Sequence, residues 1–414
     1  MRDVEFYQHV LGLRPPWTVG KVELSIRDQR VDIWAEHGDR LKWPCPECGV
    51  KLALYDHSEE RVWRHLDTCQ LKTFLHARPP RVQCKEHGVV QVVLPWSEEK
   101  SRFTSLFDRL AIDVLRECDV LGATKILRIS WDEAWHIAER AVARGLLAKE
   151  KLVVPYLAVD EKAVARGHVY MTLVCDQAKG TVEYVADGRK QESLDGYWAT
   201  LSKEQLDGIE GISMDMWEAY IQSTLDHVPE AEKKIVFDKF HIVQHMNKAV
   251  DDVRKEEHRK LAEEGKSPLT DSKYIWLYAE ENLPLKHWTR FEELKALNLK
   301  TGRAWAIKES LRGLWDYISA GWAMRFWKQW NSWATHSRLE PVKEVARMIK
   351  DHLPNIMTYF THRITNAVAE GLNSKIQTIK QRACGYRNPD HFKTAIMFHC
   401  GGLQLYPKTH GIPG

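Results

Sequence analysis

The spacing of apolar residues changes along the chain, so no single repeating architecture fits all of it. Residues 1–43 contain alternating segments, such as Val22–Ile26, that predict strands. Residues 104–148 repeat apolar side chains at helical spacing and predict three helices with short joints, which is typical of a helix-turn-helix. Residues 152–240 return to strands separated by helices, the pattern of a mixed α/β sheet. The sequence therefore predicts a multi-domain α+β protein.

Length and charge set broad limits on the function. The 414 residues are enough for two to four domains, and the net charge is only +3. Composition alone does not indicate a nucleic-acid binder, so any such surface must come from local clusters of Lys and Arg. The first residues do not form a secretory leader, and no apolar stretch is long enough for a membrane span. We expect a cytoplasmic protein whose eight cysteines are reduced thiols or metal ligands.

Three acids lie where a metal site on a sheet edge would need them. Two apolar, strand-like runs end in Asp160 and Asp215, and Glu370 lies in the second turn of a final helix that extends to about Arg382. Phosphoryl transfer on DNA uses two divalent cations roughly 3.5–4 Å apart, and such hard cations prefer oxygen ligands. Two acids on neighbouring strands and a third on a helix across the same edge can supply those oxygens.

Other acids compete for these roles, because an Asp at a strand end is often only a turn residue. Asp238 also ends an apolar run, and Glu161 follows Asp160 directly. The alternation before Asp215 places it on the strand beside that of Asp160, so we predict Asp215 as the second acid. Asp238, with His241 beside it, is then a supporting residue next to the site.

Several segments of the chain resemble one known family. They are Leu157–Glu161, Ile212–Trp217, Phe237–Val243, Asn366–Ile376 and Phe398–Leu403. These segments resemble the DDE transposases of bacterial insertion sequences, in the group called the ISL3 family. The resemblance covers nearly the whole chain, in the order cysteine finger, helix-turn-helix, RNase H-like core, helical insertion and last catalytic helix.

The resemblance implies a function and a set of site residues. It makes Asp160, Asp215 and Glu370 the ligands of two Mg²⁺ or Mn²⁺ ions in one active site. The implied chemistry is hydrolysis at the transposon ends, which frees 3′-hydroxyls that then attack target DNA. No covalent protein–DNA intermediate is expected, so no nucleophilic Ser or Tyr is needed.

Two pairs of cysteine and histidine residues predict a structural zinc site. Cys45 and Cys48 form a C-x-x-C knuckle, and Cys84 and His87 repeat the same spacing. Four such ligands suit a closed tetrahedral Zn²⁺ site, and the family resemblance also implies an N-terminal zinc finger. The alternatives are buried thiols without metal, or the replacement of one ligand from the linker. The linker residues that qualify are His57, His65 and Cys69.

Three groups of side chains are candidates for contacting DNA. Beside the zinc finger these are Arg64, Arg78 and Arg81. On the third predicted helix, which would read base edges, they are Trp135, His136, Arg140 and Arg144. On the final helix they are Lys375, Lys380 and Arg382. For each group the alternative is an ordinary solvated or packed surface.

Tryptophan is concentrated in the helical part of the chain. Eight of the 17 tryptophans lie between Trp276 and Trp333. The simpler interpretation is the hydrophobic core of an inserted helical domain. The functional interpretation is that one of them, such as Trp333, stacks on an unpaired base.

These predictions divide the chain into five parts. They are an N-terminal β and zinc-finger domain (1–100), a helix-turn-helix (101–150), the first part of an RNase H-like core (151–244), an all-α insertion (245–360) and the rest of the core (361–414). We expect a transposase that acts as a homodimer on double-stranded DNA in the bacterial nucleoid. The alternatives are an inactive, transposase-derived repressor and an RNase H-like nuclease. All three acids are present, and the separate finger and helix-turn-helix favour reading of a specific end sequence.

Overall fold

The protein consists of two compact units. The structure is a computed structural model that describes residues 2–165 and 169–408. One unit contains residues 1–150 together with 379–414, and the other contains residues 151–378. The sequence assigns residues 361–414 to the catalytic core, whereas the structure groups those from 379 onward with the first unit. None of the described helices is both long and apolar enough to cross a bilayer.

The first unit begins with two four-stranded sheets around one core. The elements are α1 (Asp3–Val10), β1 (Trp17–Ser25), β2 (Arg30–His37), β3 (Lys42–Pro44), β4 (Lys51–His57), β5 (Arg61–Thr68), β6 (Leu71–Ala77), β7 (Pro80–Cys84) and β8 (Gly88–Gln91). The strand orders are β1-β2-β6-β5 and β3-β4-β7-β8. Trp96 packs edge-on against both Trp17 and Trp63, with ring centroids 4.7 and 5.6 Å apart. These large buried rings supply much of the apolar area that holds the β region together.

Three helices follow the sheets, as the apolar spacing predicts. They are α2 (Ser105–Glu117), α3 (Val120–Leu127) and α4 (Trp131–Ala148). Ser130 begins α4 with a capping box, in which its hydroxyl accepts from the backbone N–H of Glu133 and its own N–H donates to the Glu133 carboxylate (2.8 Å). This exchange satisfies N–H groups that the first turn of a helix leaves unpaired. The three helices pack against one another in pairs.

The second unit is built on a five-stranded mixed sheet. The elements are β9 (Tyr156–Ala165), β10 (Val169–Asp176), β11 (Thr181–Asp187), α5 (Gln191–Trp198), α6 (Lys203–Asp207), β12 (Gly211–Met214), α7 (Glu218–His227), α8 (Ala231–Lys234) and β13 (Ile235–Phe237). The strand order is β11-β10-β9-β12-β13. β10 runs antiparallel to both neighbours, while β12 runs parallel to β9 and to β13. β9, β12 and β13 therefore run in the same direction, and the carboxyl ends of β12 and β13 lie at the same edge of the sheet.

Residues 239–362, all of which the structure describes, form helices and connecting loops and contain no strand. The helices are α9 (Lys239–Glu263), α10 (Lys273–Leu277), α11 (Leu285–Ala296), α12 (Lys300–Arg312), α13 (Ala320–His336), α14 (Glu340–Asp351), α15 (Leu353–Met357) and α16 (Tyr359–His362). Most of the tryptophans here are buried, which confirms the packing interpretation for them: Trp276, Trp305, Trp315, Trp327 and Trp330. Trp322 and Trp333 are the exposed ones, by 59% and 46%.

The start of the last long helix of the second unit is fixed to the sheet by one buried amide. The final helices of the chain are α17 (Ala367–Arg382) and α18 (Pro389–Cys400). Asn366, just before α17, accepts a hydrogen bond from the Ser213 hydroxyl (2.8 Å) and donates to the Val159 carbonyl (3.5 Å). Its backbone N–H donates to the Asp238 carboxylate (3.5 Å). One residue thus connects α17 to β9, β12 and the end of β13.

Replacing Asn366 with Ala is expected to destabilise the protein. The change removes the acceptor of the buried Ser213 hydroxyl proton, while Gln177 still donates to its oxygen (2.9 Å), and an unsatisfied buried donor costs roughly 1–3 kcal/mol. Urea unfolding measures the difference in free energy of unfolding from the wild type. Asn282→Ala, at an exposed position, is the matched control and should change it by no more than about 0.5 kcal/mol. Equal stability of the two variants would contradict a structural role for the Asn366 amide.

The burial of His65, in β5, predicts that the free energy of unfolding depends on pH. Its ring is buried and hydrogen-bonds the Thr104 hydroxyl (2.9 Å), and burial lowers its pKa to about 4. In the unfolded chain the ring has a pKa of about 6.5 and takes up a proton first, so stability is lost as pH falls below 6.5. The loss attributable to His65 reaches about 3 kcal/mol near pH 4. Urea unfolding of wild type and His65→Gln from pH 7.5 to 4 measures it. Parallel curves for the two proteins would show that His65 does not contribute.

Candidate active site and metal centre

Three acids lie at the same level on three neighbouring parallel strands. In the ladder Ser213 faces Ala158, and Met214 faces Phe237. Continuing the register by two residues sets Asp215 beside Asp160, and continuing by one sets Asp238 beside Asp215. The Asp238 N–H donates to the Met214 carbonyl (3.2 Å), which shows that the pairing extends to this level. Since side chains at one level of parallel strands point to one face, the three carboxylates share a side of the sheet.

Burial makes Asp160 and Asp238 costly to ionise. Asp160 is only 9% exposed, and desolvation raises its pKa to about 6 against the opposing effect of the Glu161 backbone N–H. Asp238 is 4% exposed, and desolvation raises its pKa as well. His241, at the start of α9, hydrogen-bonds the Asp215 carboxylate through Nδ1 at 2.9 Å. Asp215 thus fixes the orientation of the His241 ring.

Glu370 lies between two residues that join the start of α17 to the sheet. Asn366, Glu370 and Asn373 are spaced at i, i+4 and i+7, so they follow one stripe along the helix. Asn366 anchors the near end of the stripe, and Asn373 Nδ2 donates to Asp160 Oδ2 (2.7 Å) at the far end. Glu370 itself is exposed, so the stripe lies at the border of the buried face of the helix.

Two buried oxygens in or beside the acid row (Asp160, Asp215 and Asp238) lack a hydrogen-bond donor among the described residues, as oxygens that bind a hard cation would. Asp238 Oδ2 and Asn373 Oδ1 are buried and accept no hydrogen bond from any described residue. A buried oxygen without a donor is costly, and several such oxygens beside desolvated carboxylates suit a divalent cation. Asp160, Asp215 and Glu370 are not gathered within 4.8 Å of one another in the described structure. The carboxylate oxygens are therefore spread over a wider space than the ligands of a single closed metal site.

The four predicted zinc ligands come together in the first unit. Over the described residues, the one cluster of three or more possible ligands within 4.8 Å of one another is Cys45, Cys48, Cys84 and His87. The Sγ atoms of Cys48 and Cys84 are 3.7 Å apart, and His87 Nδ1 is 3.5 Å from Cys84 Sγ. Tetrahedral ligands at about 2.3 Å from Zn²⁺ lie roughly 3.8 Å apart, so the spacing fits.

The loops around the cluster prepare it for a metal. Gly49 and Gly88, each following a ligand pair, have φ of +74° and +71°, a conformation that favours glycine. Backbone N–H groups of His87 and Glu86 lower the pKa of Cys84 to about 6, which favours the thiolate that binds metal. The linker residues His57, His65 and Cys69 are not members of the cluster.

Some of the predicted DNA-contacting side chains are committed to the interior or to ion pairs. Arg64 is 7% exposed and donates to the carbonyls of His65 (2.6 Å) and Thr73 (3.3 Å). Trp135 is buried beneath Trp131 and His391. DNA contact is not supported for Arg64 or Trp135, because neither side chain reaches the surface. The ion-paired residues are Arg81 with Asp56, Arg140 with Asp108, and Arg144 with Glu98.

The remaining predicted contacts lie at the surface. Exposed side chains belong to Arg78, His136, Lys375 and Arg382, and Lys380 is half-buried. Arg78 borders the zinc-ligand region, His136 lies on α4, and the last three lie on α17. These positions keep their cationic or polar groups where an external phosphate can reach them.

Sequence reasoning missed one cluster on the face of the sheet opposite to Asp160, the face to which the next residue, Glu161, points. Arg189 follows β11, and its guanidinium lies over the rings of Tyr170 and Trp217, at 4.2 and 4.5 Å from their centroids. It also pairs with Glu161 through Nη1 (3.2 Å). No spacing in the sequence connects these positions, since the sheet brings together residues up to 56 apart. Asn366 and Asn373 were also missed as site residues.

Comparisons with known proteins agree with this organisation. A family model described as a transposase of the DDE ISL3 type matches residues 157–396. A zinc-finger model of the transposases of IS204, IS1001, IS1096 and IS1165 matches residues 42–87, and the helix-turn-helix model of transposase family ISL3 matches residues 92–142.

Two relatives are similar along nearly their full length. The transposase for insertion sequence element IS1001 of Bordetella parapertussis is 24% identical over 383 residues, which covers 87% of this chain and 94% of the relative. The transposase for IS1557 of Mycobacterium tuberculosis is 25% identical over 447 aligned positions, covering 100% of this chain and 99% of the relative. The DDE model alone spans more than half of the 414 residues. The chain therefore belongs to the ISL3 family of DDE transposases.

Proposed function

We propose that this protein binds the terminal inverted repeats of its insertion sequence, cleaves the DNA there and joins the freed ends to target DNA. The observation that carries the proposal is the placement of Asp160 and Asp215 on adjacent parallel strands, with Glu370 on the helix stripe anchored to those strands. We propose these three acids as the ligands of two Mg²⁺ or Mn²⁺ ions. The strand order then corresponds to an RNase H-like core, with residues 245–360 as its insertion.

The proposed reaction is two successive phosphoryl transfers. Water first attacks phosphorus at the transposon end, a new P–O bond forms, and the P–O3′ bond breaks to release the 3′-hydroxyl. That hydroxyl then attacks a phosphodiester of target DNA and displaces its 3′ oxygen in turn. The bound cations would supply charge stabilisation to the attacking and leaving oxygens.

The chain's own residues orient the acids for this work. Asn373 donates to one oxygen of Asp160 and leaves the other carboxylate oxygen to the Glu161 N–H. His241 fixes the orientation of Asp215. Hydrogen bonds of this kind from outside the ligand set orient carboxylates and tune metal affinity. Asp238 stays a supporting acid in the proposal: its Oδ1 accepts from the backbone N–H of Asn366, and its Oδ2 has no described donor and stays open towards a cation beside Asp215.

The DNA-binding surfaces of the proposal lie in both units. In the first unit, the zinc-bearing region contributes Arg78 and helix α4 contributes His136. In the second, exposed Lys375 lies beyond Glu370 on α17, and Lys380 and Arg382 farther along the same helix belong to the first unit. We further propose a homodimer on DNA, because two transposon ends must be cut and joined together.

Neutralising the acids tests the catalytic assignment. We expect Asp160→Asn, Asp215→Asn and Glu370→Gln each to lower Mg²⁺-dependent cleavage of labelled terminal DNA by at least about 100-fold, because each loses a charged ligand at the reacting phosphate. Affinity for the same DNA should change by less than about threefold, since these side chains do not bind the repeat. Exposed Glu232→Gln is the control and should cleave normally. Full cleavage by Asp215→Asn with none by Asp238→Asn would show that Asp238 is the second acid.

Removing a zinc ligand tests the metal centre. We expect the wild type to carry one zinc ion per chain and Cys84→Ser to lose it. Because the binding of structural zinc stabilises the fold around it, the zinc-finger region should then unfold. Binding to terminal DNA should become at least about 10-fold weaker. Metal analysis by mass spectrometry and DNA-binding titrations measure both. Cys69→Ser, in the same region but outside the cluster, should keep its zinc. A zinc-loaded Cys84→Ser would contradict the assignment.

A further inference from the structure

Lys162 lies on the same face of the sheet as Asp160. Residues 160–162 of β9 pair with residues 171–173 of β10 in an unbroken antiparallel register, so this stretch of the strand is regular. Because successive side chains of a strand point to opposite faces, Glu161 points away from the acid row and Lys162 points to the same side as Asp160. Two residues of a strand span roughly 6.6 Å. Lys162 is therefore the next side chain along β9 on the face that carries the acids.

Hydrogen bonds show where the Lys162 ammonium lies. Its Nζ donates to the backbone carbonyl of Asn373 on α17 (3.1 Å), and Asn373 Nδ2 donates to Asp160 Oδ2 (2.7 Å). One residue of the helix thus contacts both side chains of β9. Glu370 precedes Asn373 by three residues, which is less than one helical turn. Direct contacts therefore place the ammonium between the strand of the first acid and the helix of the third.

The strand beside β9 ends before it reaches the level of Lys162. In the parallel register of these strands Asp215 is level with Asp160, and β12 ends one residue earlier, at Met214. β9 continues to Ala165. Lys162 therefore lies beyond the carboxyl end of β12, which is the edge where ligands of open α/β sheets bind. Its side chain is only partly buried, so a ligand at that edge can reach the charge.

We propose that Lys162 binds a backbone phosphate of the DNA strand that lies across the acid row, next to the phosphate that is cleaved. The inference rests on the proposed placement of DNA at Asp160, Asp215 and Glu370. Lysine is a point charge that can donate to phosphate oxygens from several directions, unlike the planar fork of arginine. The Asn373 carbonyl holds the ammonium at the edge of the row before DNA binds, so the phosphate meets a group that is already positioned. The contact offsets part of the repulsion between the DNA strand and the carboxylates.

The alternative role of Lys162 is only to attach α17 to the sheet through the Asn373 carbonyl. Both roles use the same side chain, but only a phosphate contact needs its charge. Lys162→Gln keeps an N–H donor for the carbonyl and removes the charge, whereas Lys162→Arg keeps the charge. Lys179→Gln is the matched control, because it removes the same charge from the turn after Asp176, which pairs with Leu157 at the other end of β9.

The salt dependence of DNA binding distinguishes these roles. Affinity for labelled terminal DNA is measured by fluorescence anisotropy over a series of NaCl concentrations, with Ca²⁺ fixed and in place of Mg²⁺, so that no cleavage is needed for the readout. We expect Lys162→Gln to bind about 10-fold more weakly at low salt, the size of one charge-assisted contact. The slope of log affinity against log salt should fall by about one, because each phosphate contact releases roughly one counter-ion. Lys162→Arg and Lys179→Gln should keep the wild-type slope, and an unchanged slope in Lys162→Gln would overturn the proposal.

A measurement on the wild type alone covers the case in which Lys162→Gln folds poorly. The protein is treated briefly with an acetylating reagent, with and without terminal DNA, and the acetylation of each lysine is quantified by mass spectrometry. We expect DNA to slow the acetylation of Lys162 several-fold and to leave that of Lys179 unchanged, because an ammonium bound to phosphate is shielded from the reagent. Equal acetylation of Lys162 with and without DNA would contradict the contact.

Failure of the proposed cleavage is a distinct result. It would appear as normal cleavage by the Asp160 and Glu370 variants. The salt slope and the acetylation contain no cleavage step and depend only on where the strand binds.

Discussion

The docking of α17 on the sheet through the Asn366 side chain is the interaction on which the candidate site depends. The row of Asp160, Asp215 and Asp238 follows from strand register alone, but Glu370 has no such constraint. It belongs to a helix more than 120 residues farther along the chain than β13. The Asn366 amide accepts a hydrogen bond from the Ser213 hydroxyl and donates one to the Val159 carbonyl, and these bonds set where that helix begins. Glu370 and Asn373 then follow at fixed rotations, so one buried amide determines where the third acid can reach.

The sheet places Asp160 and Asp238 where water cannot solvate them well. A buried carboxylate without a counter-ion is unfavourable, which is why desolvation raises the pKa of Asp160 to about 6. His241 and Asn373 offset only part of that cost, and Asp238 Oδ2 has no donor among the described residues. The folded protein therefore contains an unfavourable cluster of buried oxygens, which a divalent cation would stabilise. Such destabilised clusters are characteristic of functional sites.

The sequence allows prediction of features that depend on local spacing, and not of those that depend on distant pairing. The quartet of Cys45, Cys48, Cys84 and His87 was predictable because each pair shares one turn. The neighbouring positions of Asp160 and Asp215 were predictable because each follows an apolar run, although β9 continues past Asp160 to Ala165. The inward direction of the Arg64 guanidinium was not predictable, because a count of basic residues does not show which of them binds backbone carbonyls. The grouping of residues from 379 onward with the first unit and the contacts of Arg189 depend on tertiary structure that leaves no periodic signal.

The charges around the acid row explain why the proposed chemistry would need divalent cations. Asp160, Asp215 and Asp238 lie together at the sheet, and His241 holds the Asp215 carboxylate. A phosphodiester brought to this row would meet repulsion from the carboxylates, because like charges at short range in a partly desolvated site repel strongly. Lys162, two residues after Asp160 on β9, donates to the Asn373 carbonyl (3.1 Å) and so places a positive charge on the same side of the sheet. In the proposed reaction, cations and DNA would therefore have to bind together before the row could act.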